Sequence, residues 1–137
     1  MPIIVSWAND ARTIILEEYG PSWTWEEFLG ISAQEHQMMD QVGHRVDIIA
    51  DARNTSLPER ALELFPEIVR QAATSSHPNA GLYVVVGASR LIRTFITLYT
   101  RIYPEHGSSI RLVESIEEAY RIIVGSRSAS GPEQGGT

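Results

Sequence analysis

The chain of 137 residues contains no cysteine and no lysine. Without cysteine there is no disulfide, no thiolate metal site and no cysteine nucleophile. Without lysine, any anion site has to be built from arginine forks or backbone N–H groups. Basic residues are also few, 11 against 17 acidic ones, for a net charge of −6. That balance argues against a general nucleic-acid binder, which draws its affinity from phosphate neutralisation. No apolar run approaches the roughly 20 residues of a membrane span. The opening MPIIVSW has neither the basic region nor the long apolar region of a signal peptide, so a cytoplasmic location is expected. Phosphate-loop, dinucleotide and nucleophile-elbow glycine motifs are missing. None of His36, His44, His77 and His106 stands four residues from another, so they read as surface or loop residues and no metal or cofactor is expected.

What is present is strong patterning. Gly81–Tyr103 holds an unbroken apolar run, Leu82-Tyr83-Val84-Val85-Val86, as in a strand covered on both faces. Gly87 and Ala88 turn the chain, and Ser89 caps an apolar helix. Upstream, Pro2–Trp7 and Arg12–Tyr19 flank an Asn9-Asp10 turn and read as a hairpin. Thr24-Trp25-Glu26-Glu27 is a capping box that opens a helix to about Val42, with Gly30 leaving one kinked helix or two short ones. Val46–Asp51 is a strand. Ser56-Leu57-Pro58-Glu59 is a second capping box, for a helix to about Ser75 that Pro66 should kink or divide. Ser109–Val113 alternates as an edge strand does, and Ser115-Ile116-Glu117-Glu118 caps a last helix through Val124. Residues 1–125 thus form one expected domain, and 126–137, SRSASGPEQGGT, an expected disordered tail.

The order is ββαβαβαβα, an α/β domain whose mixed five-stranded sheet carries the hairpin, about four helices and right-handed crossovers that leave helices on both faces. Together with the length and the ending SIEEAYRII, this order resembles the SpoIIAA-like branch of the STAS fold, found in anti-sigma-factor antagonists and in sulfate-transporter cytoplasmic domains. The resemblance implies a non-enzymatic regulatory or protein-interaction module with an unidentified protein partner. It also implies a phosphorylation position at Ser56, which stands near the family's phosphorylated serine in a loop that lacks the family's Asp-Ser-Ser-Gly.

Two loops end parallel strands, where ligands bind in open α/β sheets. They nominate Arg53, Asn54, Thr55 and Ser56, with Ser89, Arg90 and Arg93, as a ligand or partner surface. Arg90 and Arg93 lie in a helix first turn, where cations are disfavoured by about 0.3–1 kcal/mol each unless an anion or acid joins them. Arg90, Arg93, Thr97 and Arg101 share a helix stripe that reads as a solvated face or a contact for an acidic partner. The heavily apolar Leu91–Tyr103 helix points to a homodimer. The second function expected is a small-ligand carrier or sensor, with an anion or lipid between the sheet and the Ser89 helix. Asp47 and Asp51, on one side of a strand, could act as an acid/base pair but read better as structural carboxylates. The three tryptophans and Met38-Met39 read as core or contact surface.

Overall fold

A computed structural model describes the backbone over residues 3–73 and 76–136. Its strands are β1 (Ile3–Trp7), β2 (Ile14–Tyr19), β3 (Val46–Asp51), β4 (Ala80–Val86) and β5 (Ile110–Val113). They lie side by side in chain order. β1 pairs antiparallel with β2, and β2 to β5 run parallel. The hairpin loop is closed by Asn9, whose Oδ1 accepts from the Thr13 N–H at 3.0 Å. Its helices are α1 (Trp25–Asp40), α2 (Ala61–Ala73), α3 (Arg90–Ile102), α4 (Pro104–Gly107) and α5 (Ile116–Gly136).

Chain-order pairing decides where the helices go. Each β-α-β step advances one strand in the same direction, and right-handed crossovers then put every connecting helix on one face. Ile15, Ile48, Ala50 and Val85 on that face pack with residues of α1 and α3, and α2 joins through Ile68 and Val69 against Phe95. The opposite face, with Ile14, Ile49, Val84, Val86 and Val113, is covered by Ala119 and Ile123 of α5. Helices thus lie on both faces, split unevenly. The apolar run of β4 is explained by its place between β3 and β5, with cover on each side.

The local signals succeed where their cap forms. Thr24 and Glu27 make the expected reciprocal capping box, and α1 runs on unbroken through Gly30. Ser89 Oγ accepts from the Ile92 N–H and starts α3. At Ser56 the expected cap is not used. Arg60 takes a positive φ of 64°, which helical geometry does not allow, so α2 starts only at Ala61. α2 then continues through Pro66 without dividing, and its expected end at Ser75 lies outside the described residues, as does Pro2. Among the described residues there are five helices rather than about four, because Pro104–Gly107 closes a turn of its own where a stop is expected.

Gly125 does not end the last helix, which continues to Gly136. Arg127, assigned by composition to a disordered tail, is held instead by the sheet. It donates to the Thr13 carbonyl at 2.8 Å and to Asp47 Oδ2 at 2.5 Å. Asp47 is fully buried and also accepts from Arg45 Nε at 2.9 Å and the Leu82 N–H at 2.7 Å. The Leu82 bond sits at a break in the β3–β4 register, between the Val46–Ala80 and Ile48–Tyr83 pairs. A Cβ on Gly81 would stand 2.2 Å from Asp47 Oδ1, so only glycine lets the carboxylate in. Asp47→Ala would strand that amide and take one acceptor from each guanidinium group. It should lower unfolding free energy in urea by ~3 kcal/mol, the lower end for a broken buried pair because both arginines reach water. A loss below ~1 kcal/mol would contradict this anchoring role.

Candidate functional site

On β2, strand alternation turns Ile15, Glu17 and Tyr19 toward the crossover helices. On α1, the inward-facing series at four-residue spacing is Ile31, Glu35 and Met39. Two carboxyl groups therefore meet in the layer between sheet and helices. Glu17 is 1% exposed and Glu35 6%. Tyr83, from β4, joins them.

Glu17 Oε1 accepts from the Tyr19 phenol at 2.8 Å and from the Tyr83 phenol at 2.6 Å. Glu35 hydrogen-bonds Glu17 as well. Burial, and then the charge of Glu17 beside it, push the Glu35 carboxyl far above the usual carboxylate range. Glu35 therefore keeps its proton at neutral pH, beside the charge of Glu17. Burial and the same charge push both phenols well above their ordinary value, so they remain donors. The second Glu35 oxygen, Oε2, is buried and has no hydrogen-bond partner among the described residues.

This cluster forms part of the wall of a cavity of about 290 Å³. Apolar side chains supply most of the rest: Ile31 of α1, Ile68 and Ala72 of α2, Ile96 and Tyr99 of α3. The cavity reaches the amino ends of the parallel strands at Val46, Gly81 and Ile110. His36, His77 and His106 also border it. The His77 ring accepts at Nδ1 from the Asn79 N–H and meets Asp40 through Nε2 at 2.8 Å. A smaller space of about 120 Å³ lies toward the carboxyl ends, bounded by Trp23, Trp25, Thr55 and Leu57, and shares Phe28, Tyr83, Phe95 and Ile96 with the first. Its wall is aromatic: Trp23 contacts Tyr19 and Trp25 edge-on, and Trp25 stacks on Phe95.

The two nominated loops do come together at the carboxyl edge. Gly87, at φ 65°, lies so near Arg53 that a Cβ there would stand 2.5 Å from Arg53 Cγ. Arg53 forks onto both oxygens of Asp51, at 2.9 and 2.8 Å, and holds that carboxyl below its ordinary value. Thr55 accepts from Trp23 Nε1 at 2.7 Å. Asn54, Ser56 and Arg90 are exposed. Ser89 is spent as the α3 cap, and Arg93 binds Glu114 and the Ala88 carbonyl. Asp47 and Asp51 are each held by arginine, which is the structural role. Among the described residues no three metal-ligating side chains gather, and no helix is long and apolar enough to cross a membrane.

Sequence reasoning missed Glu17, Tyr19, Glu35 and Tyr83. One signal was available: Glu35 interrupts an apolar stripe, between Ile31 and Met39. Glu17 carried none, since its neighbour Glu18 is the exposed one of the two. Set against models of known protein families and against curated protein sequences, the chain matches none.

Glu35 also imposes a pH dependence. Folded, it keeps its proton above pH 4.5, its ordinary value, where the unfolded chain releases it. Its contribution is complete below that pH and declines as pH rises, by up to about 1.4 kcal/mol per unit. Glu35→Gln keeps an N–H donor for Glu17 and needs no proton. Chemical denaturation should find this variant more stable than wild type at pH 8 by ~2 kcal/mol or more, with the gap closing toward pH 4.5. An equal gap at both pH values would contradict a protonated Glu35.

Proposed function

We propose that this chain is a non-enzymatic, STAS-like domain that binds one small, largely apolar molecule between its sheet and helices α1 to α3, as a carrier or sensor. The observation that carries this reading is the apolar cavity of about 290 Å³ with a few convergent polar groups in its wall. Binding sites for small molecules have this makeup, and lie near this size. Of the two ligand types expected from sequence, an anion and a lipid-like molecule, the lining favours the second, because the Glu17–Glu35 pair already places negative charge there. Support for the STAS-like fold comes from the N-terminal hairpin, the succession of β-α units and the length.

A second reading, a regulatory module with a protein partner or a second copy of itself, is favoured by Leu91 and Ile102. These α3 residues are 47% and 53% exposed and share their helix with exposed Arg90 and Arg101. In that reading the surface around Ser56, Ser89 and Arg90 would be the contact.

The cavity reading is tested by thermal denaturation with 1-octanol. A ligand that binds only the native state at 100 times its Kd adds about 2.7 kcal/mol, which raises Tm by several degrees. Ala72→Leu, which projects extra carbons into the cavity, should abolish the rise while leaving the chain folded. An unchanged Tm with wild type, or an equal rise in the variant, would overturn it.

A further inference from the structure

The hydrogen-bond arrangement at the buried carboxyl pair selects the head group of the ligand. Resting on the binding function proposed above, we propose that the cavity takes an apolar primary amine, its ammonium group donating to Glu35 Oε2 beside the Glu17 carboxylate.

Most donors and acceptors of the cluster are matched within it. Tyr19 and Tyr83 both spend their phenol protons on Glu17 Oε1. Burial and the charge of Glu17 beside it keep the Glu35 carboxyl protonated. Glu35 Oε2 is buried without a hydrogen-bond partner among the described residues, and Glu35 borders the cavity. An unmet buried acceptor calls for a ligand that donates.

Two carboxyl groups with one proton leave one negative charge in an apolar layer. The described residues that line the cavity include no arginine, and the chain has no lysine to supply an ammonium of its own. The titratable groups around the pair are Tyr19 of β2, Tyr83 of β4, His36 of α1, Tyr99 of α3, and the bordering His77 and His106. The phenols stay neutral, and His77 is turned to Asp40. An ammonium would meet both needs, matching the charge and donating to Oε2. An alcohol meets only the second, and a carboxylate adds a like charge. The apolar walls would hold the hydrocarbon part.

Isothermal titration of the full chain with octylammonium chloride, 1-octanol and sodium octanoate at pH 7 tests this, because the three share a tail. Octylammonium should bind at least about tenfold tighter than octanol, and octanoate should give no measurable heat of binding. Glu17→Gln keeps an acceptor for both phenols but removes the charge, so octylammonium should fall to octanol's affinity or below. If Glu17→Gln fails to fold by circular dichroism, the wild-type order decides alone. Equal binding of octylammonium and octanol, or tighter binding of octanol, would overturn the amine assignment while leaving the cavity reading intact. No binding by any of the three would remove the cavity reading itself.

Discussion

A carboxylate buried between a sheet and its helices has to be matched, and Glu17 is matched by an unusual set. Two phenols and a second, protonated carboxyl group surround it, with no arginine among its hydrogen-bond partners. Leaving a charge unmatched there would cost several kcal/mol. The partners come from β2 itself, from β4 and from α1, so one acid ties three elements across the same layer. One Glu35 oxygen is left without a partner among the described residues, and the pair borders a space that apolar side chains line but do not fill.

The two faces of the sheet solve the same problem in opposite ways. On the α5 side, Asp47 is paired with Arg45 and Arg127 and with the Leu82 amide, and nearby Ile14, Ile49 and Val84 form closed core. On the other side, three helices laid down by successive right-handed crossovers must share one face. They pack on each other as much as on the strands, through Phe28, Phe65, Ile68 and Phe95, and the space remains beneath them. One acid is an anchor, saturated with cations from its own chain. The other keeps its charge without a cation, in the place where a molecule could supply one.

The sequence made the frame legible because the frame rests on short-range signals. The Leu82–Val86 run announces a strand covered twice, and Thr24, Glu27 and Ser89 announce caps that do form. Signals that depend on a neighbour's backbone did not transmit. Ser56 has the right residues for a cap, but Arg60 leaves helical geometry before α2 begins. Arg127 sits in a stretch whose small polar residues read as tail, and only the three-dimensional position of Asp47 shows why it is held. The carboxyl pair was invisible for the same reason. Glu17 and Glu18 are equivalent in the sequence, and which of them faces inward is decided by strand register. Glu35 alone broke an apolar helix stripe, and one polar residue on such a stripe is not enough to name its partner.

The claim beneath this account is that Glu17 and Glu35 hold a single proton at neutral pH. It is tested most directly by carbon-13 NMR of side-chain carboxyl groups in glutamate-labelled protein, titrated from pH 4 to pH 9, with Glu35→Gln assigning the resonance. The account predicts that the Glu35 carboxyl keeps the chemical shift of a protonated acid throughout the range. A Glu35 signal that moves to the carboxylate position with a midpoint near its ordinary pKa of 4.5 would contradict it.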